Sequence, residues 1–156
     1  MSIERARDYF SRFQMENRMM EFDTSSATVE LAARAVGCEP ARIAKTLSFK
    51  VDERAVLIVT AGDAKIDNPK YKAQFHVKAK MLTPTEVEDM VGHAVGGVCP
   101  FGVKENVDVY LDVSLKRFET VFPACGSSSS AIELSLAELE RYSGYREWID
   151  VCKGWQ

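Results

Sequence analysis

Residues 46–61 read TLSFKVDERAVLIVTA, and this stretch sets the architecture that we predict for the chain. Apolar and polar side chains alternate over residues 46–51, a pattern typical of a strand with one buried face. Residues 52–54 then supply a turn, and residues 55–61 are an apolar run suited to a strand that is buried on both faces. We therefore predict a β-hairpin whose second strand lies at the centre of a sheet.

Helix signals precede this hairpin. Apolar side chains recur at helical spacing over residues 3–13, with charged side chains between them. The two serines at residues 25–26 are suited to cap a second helix that stops at Gly37. Pro40 fits the first turn of a short helix, which we expect to lead directly to Lys45.

Capping boxes and strand patterns fill the rest of the chain. The residues of the two capping boxes are Thr83 with Glu86 and Ser135 with Glu138. The strand patterns cover residues 107–113, 120–124 and 131–134. Because no linker or internal repeat interrupts this order, we predict one domain over residues 1–156. We expect an α+β fold in which helices flank a central mixed β-sheet.

Composition limits the classes of protein to which the chain can belong. Its 156 residues are 46% hydrophobic and 28% charged, which is the balance of one folded domain. Charged side chains interrupt every apolar run near the N-terminus, so we expect a soluble cytoplasmic protein without a membrane span. The formal net charge of -3 argues against a surface coated with positive charge for sequence-independent binding of nucleic acid.

The cysteines do not form a recognisable metal site. Cys38, Cys99, Cys125 and Cys152 lie far apart in the sequence, and no two of them form a CxxC pair. The chain has two histidines that could supply nitrogen ligands. This set is a poor match to a zinc framework, so we expect reduced thiols, no metal and no other cofactor.

A basic segment lies between residues 65 and 80. Its lysines are Lys65, Lys70, Lys72, Lys78 and Lys80, and Asp67 is the one acidic residue among them. A solvated face of ordinary surface lysines is one interpretation, and a local nucleic-acid-binding patch is the other. The choice between them depends on whether a functional site lies beside the segment.

The segment HAVGGVCPFG, residues 93–102, is the most unusual in composition, because three glycines and a proline interrupt its apolar side chains. Glycines let backbone N–H groups approach a ligand closely. The same composition also fits a tight turn between a helix and a strand. The GxxxxGK[ST] spacing of a phosphate loop is absent, which argues against hydrolysis of a nucleoside triphosphate.

Five segments follow one another in a distinctive order, namely SSATVELAARAVGCEPARIAKTLSFK, VLIVTAGDAKID, GGVCPFG, VYLD and IELS. Together they resemble the YbaK/EbsC family, whose members are similar to the editing domain of bacterial prolyl-tRNA synthetases. In that family a Lys-Thr-Leu segment and a GxxxP loop form the pocket, and the matching residues here are 45–47 and 96–100. The resemblance implies hydrolysis of mischarged tRNA, mostly tRNA for proline that carries alanine, cysteine or another small amino acid.

The resemblance also implies which residues act and on what partner. The implied catalytic residues are Lys45, Gly96, Gly97, Val98 and Cys99. The implied substrate contacts are Thr46, His93, Pro100, Phe101, Gly102 and Asp112. Lys45 would act as a cation rather than a general base, and backbone amides of residues 96–99 would stabilise an oxyanion. The lysines of residues 65–80 would contact the acceptor end of tRNA, and an aminoacyl-tRNA synthetase is a second candidate partner.

The expected pocket is compact. Val98 and Phe101 as its walls would suit discrimination between small amino acids, which differ by a methylene group or less. We expect a bulky side chain at Gly97 to block hydrolysis while leaving the melting temperature unchanged.

Phe22 and Ala131 stand near positions that are Tyr and Asp in the best-known bacterial branch of the family. Their apolar character keeps open a first alternative, a tRNA-binding accessory module of the same fold that has lost hydrolysis. A second alternative is a small-molecule hydrolase that uses the Cys99 thiol with His93 as its base. The second alternative requires that activity depend on Cys99.

Overall fold

The strands of the fold come from the whole length of the chain. The structure is a computed structural model that describes residues 2–23 and 28–155. Within these ranges the strands are β1 (Met19–Glu21), β2 (Ile43–Val51), β3 (Arg54–Ala61), β4 (Lys65–Ile66), β5 (Val107–Asp112), β6 (Thr120–Pro123), β7 (Ser130–Ile132), β8 (Leu134–Ser135), β9 (Glu147–Ile149) and β10 (Cys152–Lys153). Six of these strands form one mixed sheet in the order β8-β6-β2-β3-β5-β9, and the other four form the two ribbons β1-β7 and β4-β10.

The predicted hairpin lies at the centre of the sheet. β2 and β3 pair antiparallel, with Val51 opposite Arg54 across the turn and Lys45 opposite Thr60. β5 is parallel to both β3 and β9, whereas β6 is parallel to β2 and antiparallel to β8. Every residue of β3 except Arg54 is buried. The predicted α+β fold with a central mixed sheet is therefore confirmed.

β2 begins earlier than the sequence pattern predicted. A 3-10 helix covers Pro40–Arg42, and the strand starts at Ile43. Ile43 and Ala44 are buried and pair with β6, so contact with a distant strand extends β2 at its start. The prediction that a helix leads directly to Lys45 was wrong, because Lys45 is an interior residue of the strand.

The α-helices in the described ranges are α1 (Ser2–Ser11), α2 (Val29–Val36), α3 (Asn68–Phe75), α4 (Pro84–Met90) and α5 (Leu136–Ser143). Both predicted capping boxes are present, with Thr83 at the start of α4 and Ser135 at the start of α5. The predicted serine cap of α2 lies outside the described residues, and the Thr28 side chain caps this helix by accepting a hydrogen bond from the Leu31 amide. None of the described helices is long and apolar enough to cross a membrane.

The predicted strand at residues 131–134 is divided into two. Ser130–Ile132 forms β7 and pairs with β1, whereas Leu134–Ser135 forms β8 and pairs with β6. Glu133, between them, is exposed, and its carboxylate accepts a hydrogen bond from the Thr120 hydroxyl at 2.7 Å. The chain therefore changes its pairing partner within a single apolar run, which the pattern of that run does not reveal.

Aromatic side chains close both faces of the sheet. Tyr71 of α3 packs against Phe49 on one face, with ring centroids 5.0 Å apart. On the other face Phe10 of α1 packs against Phe101, with ring centroids 4.7 Å apart. The central strand β3 is thus covered on both sides, as its continuous apolar sequence predicted.

Candidate active site

A cavity of about 440 Å³ opens along the outer edge of β2. The polar residues that line it are Thr28, Lys45, Thr46, Ser48 and Ser130. The apolar residues that line it include Val29, Ala32, Val98, Phe122 and Ala131. The cavity therefore combines one cationic side chain and a few hydroxyls with mostly apolar walls, which is the usual composition of a small-molecule site.

The cavity exists because the outer edge of β2 is only partly paired. β6 pairs with β2 at Ile43 and Ala44, close to the start of the strand. Further along, the Leu82 amide donates a hydrogen bond to the Ser48 carbonyl at 3.1 Å. Backbone groups alternate between the two edges of a strand, so those of Thr46 face the same edge as those of Ser48. The gap between the two pairings therefore places the backbone of Thr46 at the cavity.

Lys45 is half-buried beside this gap. Its Nζ donates a hydrogen bond to the Gly62 carbonyl at 3.4 Å. Burial lowers the pKa of Lys45, and the positive charge of Lys65 lowers it further, whereas the carboxylate of Asp63 opposes the shift. A Cβ at Gly62 would lie 2.1 Å from the Pro40 carbonyl oxygen, so only glycine lets the chain pass this close to Pro40.

An ion pair fixes the turn that holds Lys45. Arg117 donates to both carboxylate oxygens of Asp63, at 3.0 and 2.6 Å, and to the Trp155 carbonyl at 3.0 Å. The Arg117 guanidinium lies over the Phe118 and Trp155 rings, 4.9 and 5.1 Å from their centroids. The hydrogen bonds from Arg117 lower the pKa of Asp63. Arg117 therefore links Asp63, the neighbour of Gly62, to the backbone of Trp155.

Two of the hydroxyl side chains that line the cavity, those of Thr46 and Ser130, differ in their hydrogen bonds. Thr46 lines the cavity, and its buried Oγ1 has no hydrogen-bond partner among the described residues. Ser130 is the other, and its Oγ accepts hydrogen bonds from the Cys125 amide at 3.2 Å and the Ser127 hydroxyl at 2.9 Å. Sequence analysis named Thr46 but did not single out Ser130.

The first half of the glycine-rich loop faces the cavity, where Val95, Gly96 and Val98 line it. Gly97 is buried against a second loop, where a Cβ would lie 2.5 Å from the carbonyl carbon of Gly126, and its amide donates to the Ala94 carbonyl at 3.0 Å. The Gly97 amide is thus already bonded within its own loop, contrary to the expectation that it binds an oxyanion. The expectation that a bulky residue here spares the fold conflicts with this packing.

Cys99 and His93 are in contact, but neither lines the cavity. The Cys99 side chain is completely buried, and burial raises its pKa to about 12. Its Sγ lies 3.5 Å from His93 Nε2, and that nitrogen lies 2.7 Å from the Phe101 carbonyl oxygen. A carbonyl only accepts, so Nε2 carries the proton and does not act as a base toward Cys99. Burial also lowers the pKa of His93, which favours its neutral form.

Asp112 has a structural environment. It is completely buried, and its carboxylate oxygens accept hydrogen bonds at 2.9 Å from the amides of Ser114 and Val151. Both oxygens are therefore used to hold backbone in place, contrary to the expectation that Asp112 contacts substrate. Across the described ranges, no three His, Cys, Asp or Glu side chains are grouped as a metal site requires.

The end of the glycine-rich loop lies away from the cavity. Phe101 is completely buried against Phe10, so it does not form the predicted pocket wall beside Val98. Pro100 and Gly102 line a second cavity of about 420 Å³ between this loop and α1. These three predicted substrate contacts therefore do not line the Lys45 cavity.

The basic segment is only partly free to bind a ligand. The Lys70 ammonium donates to Asp150 and to the Cys152 carbonyl, both at 3.0 Å. Lys70 is therefore engaged within the protein, which makes it a weaker candidate for contact with tRNA than the exposed lysines. The exposed lysines of the segment are Lys65, Lys72, Lys78 and Lys80.

The two apolar departures from the family pattern have different positions. Ala131 lies opposite Met20 in the β1-β7 ribbon, is buried and lines the cavity. Phe22 is half-buried, and its amide donates to the Ser129 carbonyl at 2.8 Å. Of these two residues, Ala131 is the one that changes the chemistry of the cavity wall.

Several cavity residues carry no signal that sequence analysis could use. Val29 and Ala32 belong to the apolar face of α2, and the sequence pattern of this face does not differ from that of a helix packed against the core. Phe122 belongs to a strand pattern. Thr28 could have been found as a helix cap, because Thr commonly precedes an apolar helical stripe.

Three comparisons relate the chain to known proteins. The family model described as an aminoacyl-tRNA editing domain matches residues 23–142. The protein YwhH of Bacillus subtilis (strain 168) is 55% identical over 157 residues, which is 100% of both chains. The proline-tRNA ligase of Geobacillus sp. (strain WCH70) is 30% identical over 125 residues, which is 80% of this chain and 22% of the ligase. A solved structure described as a proposed trans-editing enzyme for prolyl tRNA synthetase has a TM-score of 0.88 and 28% identity, with 98% of both chains covered.

The family match extends over most of the chain, and the resemblance to the YbaK/EbsC family is confirmed. The fold likeness to the trans-editing structure covers the same sheet and helices that surround the Lys45 cavity. The chain belongs to the aminoacyl-tRNA editing domain family.

Proposed function

We propose that this chain is an aminoacyl-tRNA deacylase that acts in trans, and that it hydrolyses the ester of tRNA-Pro carrying a small non-cognate amino acid. The observation that supports this most is the placement of Lys45, a half-buried amine held by Gly62 at an open strand edge inside a largely apolar cavity. Family membership supplies the reaction class. The tRNA species and the amino acid are proposals about this chain.

Ester hydrolysis at this site needs an oriented water and stabilisation of the charge that develops on the carbonyl oxygen. Water attacks the carbonyl carbon, the bond from that carbon to the ribose oxygen breaks, and the products are a free amino acid and a tRNA with a free hydroxyl. The Lys45 ammonium would lie beside the carbonyl oxygen and stabilise its negative charge. Asp63 favours the charged form of Lys45, which suits this electrostatic role.

Thr46 and the glycine-rich loop would complete the contacts to the ester. The buried Thr46 hydroxyl has no hydrogen-bond partner in the part of the chain that the structure describes, and an unmade hydrogen bond of this kind costs about 1–3 kcal/mol. A bound substrate that accepts from this hydroxyl would recover that cost. The Gly96 and Val98 backbone lies on the same cavity, so these residues remain the proposed donors from the loop.

The cavity walls favour an aliphatic amino acid over a thiol or a charged one. Val29, Ala32 and Phe122 supply apolar surface, and Ala131 has no group that could bond a polar side chain. A methylene group contributes only about 1–3 kcal/mol to selection in a synthetase pocket, so alanine escapes rejection there and needs removal afterwards. We therefore propose alanine on tRNA-Pro as the preferred substrate, with a prolyl-tRNA synthetase as the partner that releases it.

A deacylation screen tests this function. Purified protein is incubated with alanyl-tRNA-Pro, cysteinyl-tRNA-Pro, prolyl-tRNA-Pro and alanyl-tRNA-Ala, and the loss of labelled amino acid is followed with time. The proposal predicts that alanyl-tRNA-Pro is hydrolysed fastest and that prolyl-tRNA-Pro is spared. Binding of tRNA without hydrolysis of any of the four would instead favour the accessory-module alternative.

A further inference from the structure

Two exposed lysines face each other next to the turn that holds Lys45. β4 and β10 pair antiparallel, and the register places Lys65 directly opposite Lys153. Like charges directly opposite each other on paired strands destabilise a sheet. The β4-β10 ribbon therefore carries a pair of like charges that does not stabilise the fold.

The acidic residues nearest to this pair are already engaged. Asp63 is bonded to Arg117, and Asp150 is bonded to Lys70. The Asp67 side chain caps α3 by accepting from the Lys70 amide at 3.1 Å. Within residues 2–23 and 28–155, neither Lys65 nor Lys153 forms an ion pair. Both ammonium groups are consequently available to an anion from outside the protein.

The pair is continuous with the Lys45 site. Lys65 is three residues from Gly62, whose carbonyl accepts from Lys45, and its charge acts on Lys45 directly. On the partner strand, Cys152 precedes Lys153 and also lies within electrostatic range of Lys45. The three lysines thus form one basic region that runs from the cavity to the surface.

We infer that Lys65 and Lys153 form a phosphate-binding surface for the single-stranded 3′ end of tRNA, whose esterified terminus enters the Lys45 cavity. This inference rests on the proposed function. Each nucleotide of a single strand adds a phosphate, so an RNA that ends at Lys45 must carry negative charge past the cavity mouth. Two adjacent ammonium groups that form no ion pair with the described residues are suited to neutralise that charge.

This surface differs from the one that the sequence predicted. Lys70 is excluded by its bonds to Asp150 and the Cys152 carbonyl. Lys153 is added, although it lies far from the basic segment in sequence, because strand pairing brings it opposite Lys65. Lys104 and Lys116 are exposed lysines outside the basic segment, and neither lines the Lys45 cavity, so they provide a control with the same change in charge.

Salt-dependent binding tests the surface without relying on catalysis. Fluorescence anisotropy gives the Kd of labelled, deacylated tRNA-Pro at several salt concentrations for wild type, Lys65→Gln/Lys153→Gln and the control Lys104→Gln/Lys116→Gln. The slope of log K against log salt should become shallower by about 0.7 for each single-strand phosphate contact that is lost, hence by about 0.7 to 1.4 in the first variant. The control variant should keep the wild-type slope. A wild-type slope in Lys65→Gln/Lys153→Gln overturns the proposal.

Thermal stability separates a binding role from a structural one. Removing a like-charge pair relieves repulsion, so Lys65→Gln/Lys153→Gln should melt at or above the wild-type temperature while binding tRNA more weakly. A lower melting temperature with an unchanged slope would mean that the lysines serve the fold, and this result also overturns the proposal. The proposed function fails separately if no mischarged tRNA is hydrolysed while the slope still falls in this variant.

Discussion

Gly97→Ala is a stringent test of how the cavity wall is built. The added Cβ would lie 2.5 Å from the Gly126 carbonyl carbon and 2.6 Å from both the Gly126 oxygen and the Ser127 nitrogen. All three are backbone atoms, so no flexible side chain can move aside. The two loops must separate by about 0.9 Å to restore a contact of 3.4 Å, the near limit of ordinary van der Waals distance.

The cost of this separation can be estimated for stability and for activity. Overpacking a tight contact typically costs about 1–3 kcal/mol. In a domain of this size each kcal/mol lowers the melting temperature by about 2–4 °C, so we expect a decrease of about 2–12 °C. Gly96 and Val98 flank Gly97 on the cavity wall. A displacement of about 1 Å at a reacting centre can lower the rate about 100-fold, and we expect a loss of that order in deacylation.

Circular dichroism melting and single-turnover deacylation of alanyl-tRNA-Pro give the two readouts. Gly144→Ala is the control, because a Cβ there meets nothing within 4 Å and the residue lines the second cavity rather than the Lys45 cavity. An alanine at the positive φ of 63° found at Gly144 should cost about 1 kcal/mol in stability without changing the rate of deacylation. A Gly97→Ala protein that melts within 1 °C of wild type and hydrolyses normally would refute the proposed contact between the two loops.

Three further predictions concern charge and thiol chemistry. Lys45→Met should raise stability at neutral pH, because burial lowers the pKa of Lys45 and so disfavours its charged form in the folded protein. Just below the ordinary pKa of 10.5, Lys45 then binds more protons in the unfolded chain than in the folded protein, so the stability of the wild type should rise with pH there. The difference in stability between the wild type and Lys45→Met should therefore narrow, and denaturant titrations at several pH values would measure it. Cys99→Ala should retain deacylation, because a buried thiol with a pKa of about 12 supplies no thiolate at neutral pH, and a complete loss of rate in a folded variant would restore the thiol mechanism. The hydrogen bond from Arg18 lowers the pKa of Glu138 to about 2, so the bridge should stabilise the protein above pH 4.5 and lose its effect as pH falls toward 2. Arg18→Met should therefore cost at most about 1 kcal/mol at pH 7 and less at pH 2, where about half of Glu138 is protonated, and an equal difference at both would contradict this.

Local patterns predicted the parts of the fold that depend on neighbouring residues. The hairpin of β2 and β3 follows from alternation, a turn and an apolar run, all within residues 46–61. The capping boxes at Thr83 and Ser135 each involve residues three apart on one helix. The start of β2 was missed because it depends on pairing with β6, which lies far along the chain.

The site was predicted less completely because its geometry depends on distant partners. Lys45 and Thr46 were found through the family resemblance, but the acceptor of Lys45 is Gly62, which is held in turn by Arg117 and Trp155. None of these pairings is visible in local sequence. The cross-strand partner of Lys65 is equally distant in sequence.

The glycine-rich loop shows a different limit of sequence reasoning. An irregular loop has no period of two or 3.6 residues, so the side that each residue presents cannot be read from the pattern. Gly96 and Val98 line the cavity, whereas Gly97 and Cys99 are buried. The same ten-residue segment therefore contains both cavity residues and core residues.

The central claim is that the Lys45 cavity hydrolyses the ester, and single-turnover kinetics on alanyl-tRNA-Pro test it most directly. Lys45→Met is compared with Lys50→Met. Lys50 lies on the same strand, but its ammonium is bonded to Glu86 at 2.8 Å and does not line the cavity. We predict that Lys45→Met loses hydrolysis while it still binds tRNA, and that Lys50→Met keeps the wild-type rate. Hydrolysis at the wild-type rate by a folded Lys45→Met protein would contradict the account.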